Sequence, residues 1–204
     1  MVTIMPDAPL DLDPSIYDKT TLRAAMRAAR RILAWTAPEA AARAAALAPL
    51  DRLPPFRVVA GYAACGNEID PAPLIARLEA GGARLALPVA VSHDAALVFR
   101  AADEIDAFVP DLFGISAPPI GAPTLVPDLI IAPVLAFDRR GGRLGQGAGC
   151  YDRTLEALRA AGSVFVIGLA YAGQEIDRVP TDAHDQALDA ILTERGYSVV
   201  GKDI

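Results

Sequence analysis

The stretch Asp128-Leu-Ile-Ile-Ala-Pro-Val-Leu-Ala-Phe-Asp138, followed by Arg139-Arg-Gly-Gly-Arg-Leu-Gly-Gln-Gly-Ala-Gly149 and Cys150-Tyr-Asp-Arg153, decides how this chain folds. Its first part is nearly continuous in apolar residues, the pattern of a strand covered on both faces. The middle is a glycine-rich turn, and the last part opens a helix. Glycines at 141, 142, 145, 147 and 149 keep side chains off the backbone and let amides converge on an anion. Arg139, Arg140, Arg143 and Arg153 are expected around the turn, with donors suited to phosphate or carboxylate. The helix start adds its positive end.

Working outward, the same alternation of strand and helix recurs. From Asp18, a capping residue, Leu22, Met26, Ala29 and Leu33 share one helical face while Lys19, Arg23, Arg27 and Arg30 share another. A basic stripe of this kind is ordinarily a solvated face. Thr36 and Pro38 are expected to start a second helix through Leu47. Residues 56–64 read as a strand, with Glu68-Ile69-Asp70 at its carboxyl end, where ligands of open α/β sheets bind. Asp70, before Pro71, is a good cap for a helix over 71–80, which leaves Glu68 as the ligand contact. Strands are expected over 84–90 and 97–100, with His93 in the turn between them.

Residues 103–127 form a proline-rich connection whose Phe108, Leu112, Phe113 and Ile115 are expected to pack down. A helix over 151–161, a strand over 164–170, a loop over 172–187 and a strand over 189–194 complete the pattern. It predicts an α/β protein, a single three-layer α/β/α domain with a mainly parallel central sheet over 19–204, after a loose leader over 1–18.

Composition narrows the function. A formal charge of -6 and a pI near 4.9 exclude a broad basic surface for nucleic acid. The sequence has no apolar run of membrane-spanning length, and its first residues lack the basic and apolar regions of a signal peptide. A cytoplasmic protein without nucleic-acid or membrane partners is expected, as a monomer or weak homo-oligomer. Cys65 and Cys150 suggest two reduced thiols rather than a zinc site.

The glycine turn lacks both the Gly-Lys-Ser/Thr ending of a P-loop and the spacing of a dinucleotide fold, so a different phosphate cradle is implied. No Ser-His-Asp arrangement or transition-metal spacing is readable. Asp152 and Asp185 are candidate oxygen ligands for Mg²⁺, although singly each is an ordinary cap or surface charge. With the cradle they point to phosphoryl transfer from a nucleotide.

These residues resemble a known family. The run from Pro133 to Asp138, with Arg143 to Arg153, is similar to the signature of the 5-formyltetrahydrofolate cyclo-ligases, also called 5,10-methenyltetrahydrofolate synthetases. Lys19 with Leu22-Arg23 resembles the family's N-terminal helix and Glu68-Ile69-Asp70 its folate-side acidic motif. Gly168 to Gln174, Pro180, His184-Asp185, Leu188-Asp189 and Thr193-Glu194 resemble its C-terminal pattern.

The resemblance implies ATP- and Mg²⁺-dependent conversion of 5-formyltetrahydrofolate to 5,10-methenyltetrahydrofolate, with release of ADP and phosphate. It implies Arg143 and Asp152 as catalytic residues, and Lys19, Arg23, Arg143, Gly145, Gln146, Gly147, Ala148, Gly149, Cys150 and Tyr151 as ATP-binding. Folate would meet Glu68 and the loop from Gln146 through Gly147, Ala148 and Gly149 to Cys150; Mg²⁺ would meet Asp152 and Asp185. The loop departs from the family pattern at Gln146, Ala148 and Cys150. Two other readings stay open: a relative that binds nucleotide or folate as a sensor or carrier, and a ligase or kinase acting on another small amide or carboxylate.

Overall fold

In the computed structural model, which describes residues 18–103 and 107–201, the apolar run forms the centre of a seven-stranded sheet. The elements in chain order are α1 (Lys19–Thr36), α2 (Ala40–Leu47), β1 (Val58–Ala60), α3 (Ala72–Ala80), β2 (Arg84–Val89), β3 (Val98–Ala101), β4 (Val109–Pro110) and β5 (Ser116–Ala117). They continue with β6 (Leu129–Pro133), β7 (Ala136–Phe137), β8 (Arg143–Leu144), α4 (Cys150–Ala161), β9 (Phe165–Leu169), β10 (Ala190–Thr193) and β11 (Gly196–Val199). The sheet order is β11-β10-β9-β6-β1-β2-β3. The five inner strands are parallel, and β3 and β11 close the edges antiparallel.

Strand period two divides the core. Leu129 and Ile131 of β6 join Val59, Ile167, Leu169 and Leu192 beneath α2 and α3, packing with Ala44 and Leu78. Ile130 and Ala132 join Ala60, Val166 and Ile191 on the opposite face, beneath Leu155 of α4. Leu129, Ile130 and Ile131 are fully buried, and each such side chain contributes about 1.5–3 kcal/mol. The expected three layers and mainly parallel sheet are therefore present. The leader expected over 1–18 lies, through residue 17, outside the described residues; Asp18 caps α1 by accepting from the Thr21 amide at 3.0 Å.

Several local expectations are corrected. The run from Asp128 to Asp138 is not one strand: the chain leaves the sheet after Pro133, and β7 pairs with β8 as a separate antiparallel hairpin. Gly141 and Gly142 lie in that hairpin's turn, and neither lines the cleft that the loop 145–149 lines. Arg139 binds the Glu175 carboxylate at 2.6 Å and Arg140 donates to the Asp177 carbonyl at 3.2 Å, so neither surrounds the glycine loop. Thr36 ends α1 instead of starting α2, its hydroxyl donating back to the Ile32 carbonyl at 3.0 Å. Phe108, Leu112 and Phe113 do not pack down but are more than two-fifths exposed, while Ile115 is half-buried. β11 was not anticipated; it pairs only at an edge, and its half-buried residues give weak alternation.

The hairpin turn is organised by Asp138, which is 2% exposed. Its carboxylate accepts from the amides of Arg140 at 2.8 Å, Gly142 at 3.0 Å and Val179 at 2.8 Å. A Cβ on Gly142 would stand 2.5 Å from Asp138 Oδ2, so this approach requires glycine. Asp138→Ala would take this partner from three amides, of which the buried one of Val179 costs about 1–3 kcal/mol when left unsatisfied and the two part-buried ones of Arg140 and Gly142 less. We expect a loss of at least ~1 kcal/mol in denaturant unfolding, with Asp138→Asn intermediate; a loss within the ~0.5 kcal/mol of a surface substitution would show that Asp138 does not hold the turn.

Candidate active site

After β1 the chain moves to β2 on one side, and after β6 it moves to β9 on the other. The carboxyl ends of β1 and β6 therefore diverge, and such a switch point leaves a crevice. A cleft of about 990 Å³ lies there, a size that accommodates ligands larger than a single phosphate. Tyr62 and Glu68 follow β1 into it, Val134 and Leu135 follow β6, and the loop 145–149 with the first turn of α4 forms one wall.

Helix α1 supplies another wall. Lys19 Nζ donates to Asp182 at 2.7 Å and Asp185 at 2.6 Å. Burial works against its positive charge, but the two carboxylates outweigh this and leave its pKa above the ordinary lysine value. One turn on, Arg23 Nε donates to the Gly145 carbonyl at 3.0 Å. Another turn on, Arg27 donates to the Gln146 side chain at 3.0 Å. Arg30 NH1 then reaches Glu68 Oε1 at 3.3 Å. The stripe that composition alone assigns to solvent thus faces the site, and only Arg27 of the four is exposed.

The glycine loop connects β8 to α4. Gly149 is the N-cap of α4 at φ +67°, a left-handed conformation, and a Cβ there would meet Arg153 NH1 at 2.8 Å. Arg153 folds back over the loop, donating to the carbonyls of Ala148 at 2.9 Å and His93 at 2.9 Å. Gln146, Gly147, Ala148 and Cys150 line the cleft with these groups. Cys150 is nearly buried and Cys65 exposed, both as free thiols.

Arg143 stands behind the loop with its side chain 3% exposed, bonded through NH2 to Asp152 Oδ1 at 2.7 Å. Its Nε is buried without a partner, and its guanidinium lies 5.6 Å from the centre of the Tyr151 ring. The Tyr151 hydroxyl is also buried without a partner, and burial raises its pKa, so it remains a donor at neutral pH. Both residues line the cleft, although these two donor atoms themselves are enclosed.

The predicted site residues are therefore brought together: Lys19, Arg23, Glu68, Arg143, the loop 145–149, Cys150, Tyr151, Asp152 and Asp185 all line this cleft. Asp152 accepts from the Gln186 amide at 3.1 Å as well as from Arg143, and Asp185 accepts from the Asp182 amide at 2.7 Å as well as from Lys19. Among the described residues no three His, Cys, Asp or Glu side chains converge as an all-protein metal cage. That donor set, carboxylates beside cationic groups, instead suits Mg²⁺ carried on phosphates, which needs only one or two carboxylates. Pro71 is the N-cap of α3, and Asp70 before it accepts from the Ala72 amide at 2.9 Å, while Glu68 lines the cleft.

Sequence reasoning missed three participants. Asp182 shares Lys19 with Asp185 but has no signal of its own in a polar loop. Phe113 lines the mouth of the cleft, on a turn whose amides are held by Asp111, and packs edge-on to His93 at 5.2 Å. Arg30 lies on one helical line with Leu22 and Met26, the other buried residues of α1; their spacing of four was the available clue. No described helix is long and apolar enough to cross a membrane.

Comparison with known proteins gives the family. A model of the 5-formyltetrahydrofolate cyclo-ligase family matches residues 15–194. The 5-formyltetrahydrofolate cyclo-ligase of Mycolicibacterium smegmatis is 36% identical over 151 residues, covering 68% of this chain and 74% of that protein. The enzyme of that name from Escherichia coli K12 is 32% identical over 140 residues, covering 66% and 76%. The solved 5,10-methenyltetrahydrofolate synthetase of Aquifex aeolicus superposes with a TM-score of 0.69 at 26% identity, over 91% of this chain and 94% of that one. The Mycoplasma pneumoniae structure of the same name, at 23% identity and a TM-score of 0.67, shares the fold over 87% of this chain and 99% of its own. With the family model matching most of the chain and the glycine loop, basic helix and acidic partner meeting in one cleft, this chain belongs to the 5-formyltetrahydrofolate cyclo-ligase family.

Proposed function

We propose that the protein converts 5-formyltetrahydrofolate to 5,10-methenyltetrahydrofolate at the expense of ATP, releasing ADP and phosphate. The observation that carries this reading is the convergence of α1, the glycine loop and Glu68 on one cleft of about 990 Å³. Lys19, Arg23 and Arg143 line the cleft with Asp152, Asp182 and Asp185 beside them, and Glu68 lines it paired with Arg30. Cations with carboxylates beside them suit a triphosphate carrying Mg²⁺, and the remaining lone pairs of Glu68 suit the amino and ring N–H donors of a pterin.

The formyl oxygen is a poor leaving group. Transfer of the terminal phosphoryl group to it activates the formyl carbon; attack by N10 then closes the ring and phosphate departs. Lys19 and Arg23 bind and orient the phosphates, while the loop from Gly145 to Gly149 brings its backbone close to them. Arg143, at the wall of the cleft, supplies positive charge against the charge that develops during transfer, and Asp152 holds its guanidinium in place. Asp152 and Asp185 would hold Mg²⁺, which supplies charge neutralisation at the phosphates when bound. Both free cysteines fit a reducing compartment such as the cytoplasm.

The deciding test is to incubate the protein with MgATP and 5-formyltetrahydrofolate. Methenyl product and ADP should appear in equal amounts, and ligand binding without product at high enzyme concentration would instead identify a sensor or carrier. Asp152→Asn should lower turnover roughly a hundredfold or more and raise the Mg²⁺ concentration required, with a lower melting temperature because the buried Arg143 loses its charged partner. Unaltered turnover at limiting Mg²⁺ would remove Asp152 from the site. Arg23→Met should raise KM for ATP roughly tenfold or more while KM for folate stays constant; equal changes in both would mean that Arg23 supports the loop only.

A further inference from the structure

Arg30 is an expensive residue in its position. It occupies the buried line of α1 that Leu22 and Met26 begin, where an apolar side chain would extend the packing. Its side chain is 8% exposed and that of Glu68 is 11% exposed, and the two form an ion pair at 3.3 Å. Desolvating two charges often cancels their attraction, so a well-packed apolar pair would serve stability as well or better. Fold stability alone therefore gives no reason for a guanidinium here.

The geometry at Glu68 supplies one. Glu68 lies between β1 and α3 in a stretch without helix or strand, where a flexible side chain samples several rotamers. Both of its oxygens are restrained. Oε1 accepts from Arg30, and Oε2 accepts from the Cys65 amide at 3.0 Å. Each carboxylate oxygen has a second lone pair, so the pinned group can still accept from two ligand donors, at places set in advance. Arg30 and Glu68 both line the cleft, so this ordering occurs at its surface.

We propose that Arg30 is a positioning residue for folate recognition: it orients the Glu68 carboxylate as a fixed pair of acceptors for adjacent N–H donors on the substrate ring. This rests on the reading of Glu68 as the folate-facing carboxylate. A lysine cannot replace Arg30 fully, because its shorter reach and point charge lose the planar fork of the guanidinium.

The test compares steady-state kinetics, equilibrium binding of 5-formyltetrahydrofolate and melting temperature for wild type, Arg30→Lys, Arg30→Met, Glu68→Gln and the double variant Arg30→Met/Glu68→Gln. Arg30→Met should raise KM and Kd for the folate roughly tenfold to a hundredfold, leaving KM for ATP within twofold, and Arg30→Lys should recover part of the loss. The double variant should bind folate no more weakly than Glu68→Gln alone, since Arg30 acts through Glu68. If Arg30→Met does not fold, Arg30→Lys and the double variant, which buries no unpaired charge, decide the matter. Unchanged folate binding in Arg30→Lys and Arg30→Met, or losses that add to that of Glu68→Gln, would overturn the positioning role. Unchanged folate binding in Glu68→Gln would instead overturn the folate-facing reading of Glu68, and the positioning role with it.

Discussion

The pairing of Arg143 with Asp152 is the interaction on which the site depends. It crosses from β8, the second arm of a hairpin outside the main sheet, to the first turn of α4, and so fixes both ends of the glycine loop between them. The cation is 3% exposed and the carboxylate 22% exposed. Removing either partner from so buried a pair costs about 3–5 kcal/mol, far more than a surface ion pair contributes. Asp152 also lies in the first turn of α4, where the helix dipole favours a negative charge. Arg143 therefore keeps a fixed orientation at the wall of the cleft.

The second constraint is the reach of α1. From Lys19 to Arg30 the helix advances about 16 Å at 1.5 Å per residue. Along that length it touches the Asp182–Asp185 loop, the glycine loop and Glu68 in turn. One rigid rod thus joins the Asp182–Asp185 loop at one end of the cleft to Glu68 at the other. Its apolar residues Leu22 and Met26 pack with Leu135, Leu144 and Ile176, so the rod is seated on the same hairpin that presents Arg143.

Much of this was legible in the chain. The apolar run at 129–133, the glycine loop and the alternation of elements report local periodicity and backbone freedom, which neighbouring residues express without knowledge of the rest of the fold. Gly149 is legible because only a local left-handed turn is required of it. Gly141 and Gly142 were misread because their reasons, contact with the Leu188 carbonyl and with the Asp138 carboxylate, involve tertiary neighbours as well as the turn itself. The apolar residues of the 107–115 segment were misplaced for a related cause: hydrophobicity argues for burial, but Phe113 stands at the cleft mouth, where the surface it meets is incomplete.

By itself the sequence determined the class of fold, the loop that can approach an anion, the apolar face of α1 and the family to which these patterns belong. Tertiary structure alone decided where the charges act. Arg139 and Arg140 pair with Glu175 and Asp177 away from the loop, while Lys19, Arg23 and Arg30, more than a hundred residues upstream of it, meet the cleft. The physical reason is that periodicity assigns a side chain to a face of its own helix or strand, whereas the partner of a charge depends on which distant segment packs against that face.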